Sequence, residues 1–156
     1  MIKLVRLDER LIHGQVAFAW TNSLGADCIL IVNDAVSKDK IRASSLKMAA
    51  PTGVKFVVKS VEEAVPLLNG TKTSKYKLFI LVDSTKDALT LAQKVDEVRQ
   101  INLGNMKLRE GRVMITNSIA VSEEEKQDIY DMEAASVEVE CRAVPTDKKV
   151  IATSLF

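Results

Sequence analysis

Short apolar runs alternate along this chain with segments whose apolar residues recur every three or four positions. Ile2–Leu7 is the first run, and Val16, Ala17, Trp20 and Leu24 then recur at helical spacing. Cys28–Val32 is a second continuous run, closed by Asn33-Asp34. A helix is expected from Ser37 to Ala50, stopped by Pro51 and Gly53. Val54–Val58 reads as the third strand. Ser60-Val61-Glu62-Glu63 then reads as a capping box, with Val61, Ala64, Val65 and Leu68 as one apolar stripe that Asn69-Gly70 ends. Leu78–Val82, the most hydrophobic run, ends at Asp83-Ser84-Thr85, and Ala88, Leu91, Ala92, Val95 and Val98 mark the next helix face. Ile101–Leu103 is a brief strand before Gly104-Asn105, and Arg112–Ile115 starts another whose end is left open through Ala120. Ser122-Glu123-Glu124-Glu125 is a second capping box, opening a helix to Ala135. Val137–Arg142 alternates as a last strand, and Pro145 precedes a short polar turn.

Apolar strands alternating with amphipathic helices predict an α/β fold with a mostly parallel sheet covered on both faces. No linker, low-complexity stretch or repeat divides residues 1–156, so one domain is expected. The 47% hydrophobic and 28% charged fractions fit a globular protein, and the net charge of +1 with 4% aromatics argues against a nucleic-acid or membrane-surface footprint. Cys28 and Cys141 lie in apolar runs with no CxxC spacing, so a reduced, buried, intracellular pair is expected rather than a metal site. Neither a signal peptide nor a run long enough to cross a bilayer is evident, and a cytoplasmic location is the expectation.

In open parallel sheets, ligands bind beyond the carboxyl ends of the strands. Asp8, Arg10 and His13 follow the first strand, Asn33 and Asp34 the second, Asp83 and Ser84 the fourth. His13, the one histidine, makes the first loop the densest candidate. Gly14 permits a tight turn, and the helix behind it offers unpaired amides and a positive dipole end suited to phosphate. Arg10 adds a fork of donors matched to phosphate oxygens, and Asp8 is placed to orient the imidazole or Arg10. Histidine can act as a neutral nucleophile near pH 7 and release what it captures. A lone histidine beside aliphatic residues is in general more often packed or solvated; the loop position, Arg10 and Gly14 bring the two readings level. A metal site lacks a second histidine, a serine hydrolase lacks G-x-S-x-G, and neither G-x-G-x-x-G nor a P-loop is present. Asp34 and Asp83 admit an acidic receiver-like site, although strand-end aspartates more often cap helices.

Residues 8–16, D-E-R-L-I-H-G-Q-V, followed by Trp20, resemble the phosphorylation loop of IIB components in the mannose/fructose/sorbose family of the bacterial sugar phosphotransferase system. Asn33-Asp34, K-I-R-A…L-K-M-A-A-P around Arg42, Asn102-Leu103-Gly104 and Val144-Pro145-Thr146-Asp147 follow the family pattern in order, while Pro51-Thr52-Gly53 departs from its Pro-Pro-Gly. The resemblance implies a three-layer α/β/α fold with a mostly parallel sheet and one antiparallel edge strand. It places the phosphorylated histidine on His13, a loop arginine on Arg10 and a second functional arginine on Arg42. Asp8, Gly14, Gln15 and Arg42 would then hold phosphate or substrate, with no cofactor and no metal. The implied activity is transfer from the phosphohistidine of a IIA partner to His13, then to a sugar delivered by membrane IIC and IID subunits, at the inner face of the membrane. A non-catalytic module sensing an anion or phosphorylated metabolite is the alternative from a different class. The sugar and any homo-oligomer are left open.

Overall fold

The computed structural model describes residues 1–156. Nine strands and six α-helices follow in the order β1 (Ile2–Asp8), α1 (Gly14–Leu24), β2 (Cys28–Val32), α2 (Asp34–Ser37), α3 (Lys40–Ala49), β3 (Lys55–Lys59), α4 (Val61–Asn69), β4 (Leu78–Val82), α5 (Thr85–Lys94), β5 (Gln100–Asn105), β6 (Val113–Met114), β7 (Ala120–Val121), α6 (Glu123–Ala134), β8 (Glu138–Cys141) and β9 (Val150–Ile151); a 3₁₀ turn, Ala152–Leu155, closes the chain. Seven strands form one sheet in the order β3-β2-β4-β1-β5-β8-β9, and β6 pairs with β7 apart from it. All neighbours in the large sheet are parallel except β8 and β9. The expected three-layer architecture with an antiparallel edge strand is therefore observed.

Side chains alternate across the sheet, so each strand feeds two cores. Val5, Leu7, Leu30, Ile80 and Ile101 point to one face, where α4, α5 and α6 cover them. Leu4, Ile29, Ile31, Phe79 and Leu81 point to the other, against α1, α2 and α3. Cys28 and Cys141 are buried free thiols, and burial with the neighbouring Glu140 pushes the Cys141 thiol up to about 12. That keeps it protonated and inert.

Local chemistry explains where the elements depart from expectation. The helix expected from Ser37 to Ala50 is two helices. The Asn33 side chain accepts from the Val36 amide, and the Asp39 side chain accepts from the Arg42 amide and starts a new helix. The brief strand at Ile101–Leu103 runs through Gly104 to Asn105, whereas the run from Arg112 to Ile115 keeps only two paired residues. Val150–Ile151, to which the hydrophobic pattern assigned no element, supplies the antiparallel edge that the resemblance implied. Both capping boxes form: Ser60 with Glu63, and Ser122 with Glu125. Ser122→Ala removes the acceptor for the Glu125 amide, 3.1 Å away. The expected loss is about 1 kcal/mol in urea unfolding.

Candidate phosphoryl-transfer site

β1 lies between β4 and β5 and delivers its last residue, Asp8, to the carboxyl edge of the sheet. The loop from Glu9 to His13 turns sharply there. The Leu11 amide donates to the Asp8 carbonyl at 2.8 Å, and Leu11 takes a left-handed backbone at φ +58°. Leu11 and Ile12 are buried in the core beneath α1 and α3, and their burial stabilises this strained turn. Arg10, Gly14 and Gln15 are left exposed, and the His13 side chain is 20% exposed.

The imidazole does not rotate freely. His13 Nε2 lies 3.0 Å from Asp8 Oδ2. Arg6 Nη2 donates to the same oxygen, so the carboxylate serves as the acceptor here, which assigns the ring hydrogen to Nε2 and leaves Nδ1 without a hydrogen-bond partner. The other Asp8 oxygen accepts from the Arg10 amide at 2.9 Å and Asn105 Nδ2 at 3.3 Å. His13 is also the N-cap position of α1, in extended conformation, but its side chain does not cap the helix. The amides of Gly14, Gln15 and Val16 therefore leave the helix end without partners, and no acidic residue occupies the first turn. Gly14 sits at φ +48°, which a side-chain-bearing residue adopts at a cost. The His13 ring, its Nδ1 without a partner, thus stands at the bare N-terminus of α1, with exposed Arg10 three residues upstream in the same loop; helix N-termini and arginines both suit phosphate.

Glu9 ties this loop to the segment after β5. It accepts from the Lys107 amide at 2.9 Å and pairs with Arg112 at 2.7 Å, while Arg112 also pairs with Glu125 at 2.7 Å. The result is an open, wholly polar cavity of about 700 Å³, lined by Glu9, Arg10, Asp83, Asn105, Lys107 and Arg109. Arg42 is not part of it. It lies exposed in the first turn of α3, and no hydrogen bond or ion pair joins its side chain to Asp8, Arg10 or His13.

The other strand-end residues act as caps. Asp34 Oδ1 accepts from the Val61 amide, and Ser84 Oγ accepts from the Asp87 amide. Burial, then the Asp83 and Asp34 carboxylates, push the Asp87 carboxyl up to about 6. The native chain thus holds this proton more tightly than the unfolded chain, whose aspartates titrate near 4. Stability from this group is full below about pH 4 and is lost as pH rises through about 6. Asp87→Asn is therefore expected to stabilise at pH 8, on the order of 1 kcal/mol after solvent screening, with the gain absent at pH 4 in thermal melts.

The motif reading gave Arg6 no role and met Asn102 only within the Asn102-Leu103-Gly104 segment, not as a site residue. Arg6, 2% exposed, donates from Nη2 to Asp8 Oδ2 at 3.1 Å, and from Nη1 to Asn102 Oδ1 at 2.7 Å and the Arg142 carbonyl at 3.1 Å. Asn102, fully buried, links this guanidinium to Glu140 through Nδ2 at 3.1 Å. The usable sign was the two-residue spacing of Arg6 and Asp8, which puts both on the α1 face of β1. Trp20 is core, as expected, but with its ring centroid 5.3 Å from the Arg6 guanidinium carbon and 5.1 Å from that of Arg142.

The family model for the PTS system sorbose subfamily IIB component matches residues 2–156. A probable phosphotransferase enzyme IIB component of Streptococcus pyogenes serotype M6 is 32% identical over 156 residues, covering 96% of each chain. The sorbose-specific EIIB component of Lacticaseibacillus casei is 32% identical over 147 residues, 94% of this chain and 90% of that one. The crystal structure of the IIB domain of the Klebsiella pneumoniae sorbose permease superposes with a TM-score of 0.93 at 31% identity, over 99% of this chain and 95% of that one. With the fold, the loop and these relatives in agreement, the chain belongs to the sorbose subfamily of phosphotransferase-system IIB components.

Proposed function

We propose that this chain is a phosphoryl carrier in which His13 takes a phosphoryl group from the phosphohistidine of a IIA component and passes it to a sugar entering through membrane IIC and IID subunits. The observation that carries this reading is the His13 ring, bonded to Asp8 through Nε2 and open at Nδ1 beside the uncapped start of α1.

In the first transfer, the Nδ1 lone pair forms a bond to phosphorus as the donor's P–N bond breaks and its electron pair returns to the donor ring. The Gly14, Gln15 and Val16 amides and the Arg10 guanidinium hold the oxygens of the moving group. His13 keeps its Nε2 proton, so its ring becomes cationic, and the Asp8 carboxylate meets that charge at 3.0 Å. In the second transfer, a sugar hydroxyl oxygen bonds to phosphorus, the P–Nδ1 pair returns to the ring and the hydroxyl proton passes to solvent. Neutral imidazole is regenerated without any proton moving at His13. Arg10 contacts the group throughout, Asp8 orients the ring, and Arg42, exposed on α3, is free to meet the acceptor side. Arg10, Gly14 and Gln15 are exposed at the sheet edge and His13 partly so, which leaves the ring open to two partners in turn.

The test is incubation with labelled phosphoenolpyruvate, the general phosphotransferase enzymes and a cognate IIA component. The expected product is phosphate that is stable in alkali and lost in acid, as phosphohistidine is. Saturable phosphate binding that needs Arg10 but leaves no covalent label would instead identify an anion-sensing module.

A further inference from the structure

We propose that Arg6 is a positioning residue for transfer at His13: its guanidinium shares Asp8 Oδ2 with the imidazole and so sets how much negative charge the ring faces. The inference rests on the phosphoryl-carrier reading and adds to it a residue that touches neither phosphate nor partner.

Asp8 has no contact with bulk water, so its charge acts on His13 in a medium of low dielectric. Facing the ring alone, such a carboxylate would favour the doubly protonated imidazole, which has no lone pair with which to attack phosphorus. Arg6 Nη2 stands 3.1 Å from the same oxygen that His13 uses at 3.0 Å. The guanidinium offsets most of the carboxylate field while leaving one lone pair to accept from Nε2. Asp8 then does two opposed things in balance: it fixes the tautomer and steadies the cationic ring of the phosphorylated state, yet it does not hold a second proton on Nδ1 beforehand.

The fold holds Arg6 in this role with unusual completeness. Asn102 Oδ1, the Arg142 carbonyl and the Trp20 ring receive the rest of the guanidinium. Position 104 on β5 is glycine because a Cβ there would overlap the Arg6 guanidinium itself. The charged groups facing the ensemble are Asp8 and His13 on the first loop, exposed Arg10 beside them, and the Glu140–Arg142 pair on the β8 side, joined through Asn102. Glu9 is engaged by Arg112 and Lys107 and turns away from the ring.

The pH profile of label transfer to His13 tests this in the wild-type chain and in Arg6→Lys, Arg6→Met, Gly104→Ala and Asp8→Asn. Gly104→Ala displaces the guanidinium without altering charge and serves where Arg6→Met fails to fold. Arg6→Met or Gly104→Ala should slow transfer about tenfold at the acid end of the profile, near pH 5, and recover toward pH 8, the effect of moving the acid limb up by about one unit. Arg6→Lys should recover part of the loss. Adding Arg6→Met to Asp8→Asn should leave the profile of Asp8→Asn in place, because no carboxylate field is left to offset. Ring ¹⁵N shifts of the one histidine should move upward in pH alongside the acid limb. A loss equal at every pH, or an unshifted profile in Gly104→Ala and in any Arg6→Met protein that folds, overturns the proposal. An unlabelled wild-type chain overturns the carrier reading instead, and the ¹⁵N titration still decides whether Arg6 acts on the ring.

Discussion

Replacing His13 with alanine is expected to remove phosphate acceptance altogether, a fall of more than a thousandfold in label from a phosphorylated IIA component. No other group at the site can take over. Asp8 is buried and carries four hydrogen bonds, the Arg10 guanidinium is always protonated, and the chain has no second histidine. The fold should survive the change. The His13 side chain is partly exposed, caps no amide and makes one hydrogen bond, so far-UV circular dichroism and the melting temperature should shift little. His13→Gln is informative beside it, since the amide nitrogen can still donate to Asp8 while offering no nucleophile. It too should be unlabelled. Retained label in either variant would move the chemistry to another residue.

The second large effect is on stability. Trp20→Ala should cost about 3–5 kcal/mol, as large-to-small substitutions of buried aromatics do, and lower the melting temperature by on the order of 10 °C. Trp20 is 2% exposed, and its Nε1–H donates to the Ala143 carbonyl at 3.0 Å, tying α1 to the chain after β8. Its ring centre also lies 5.3 Å from the Arg6 guanidinium carbon and 5.1 Å from that of Arg142. Removing it opens a cavity beside two cations and loosens Arg6, so slower transfer to His13 should accompany the lower melting point. Trp20→Phe keeps most of the ring but leaves the Ala143 carbonyl unpaired, and should cost about 1–2 kcal/mol. Denaturant unfolding followed by circular dichroism separates the two variants.

The strands that position the site were legible because two-sided burial writes itself as continuous apolar runs. Cys28–Val32 and Leu78–Val82 have the bounds read from the sequence. The serine–glutamate boxes at Ser60 and Ser122 were equally readable, since a cap is a local event of four residues. The break at Asp39 was not, because the aspartate competes with helix continuation through one hydrogen bond that no periodicity reveals. Nor was the extension of β5 through Gly104. A glycine-asparagine pair reads as a turn unless one knows that Arg6 lies against it. At the site, His13, Gly14 and Arg10 stand close in sequence and were found together, with Asp8 beside them. Arg6, Asn102 and Glu140 come from three strands, so only the sheet register brings them into one chain of hydrogen bonds. For Arg42 the motif proposes a role that the geometry of this single chain does not assemble, since the residue lies on α3 away from the cavity beside Arg10.

The measurement that bears most directly on the account is the site of the phosphate on the imidazole. Uniformly ¹⁵N-labelled protein is phosphorylated through its IIA donor, and two-bond proton–nitrogen correlations are recorded for the one histidine. The account predicts phosphate on Nδ1, with Nε2 keeping its hydrogen and its bond to Asp8. Phosphate on Nε2, or an alkali-labile acyl phosphate on Asp34 or Asp83, would contradict it.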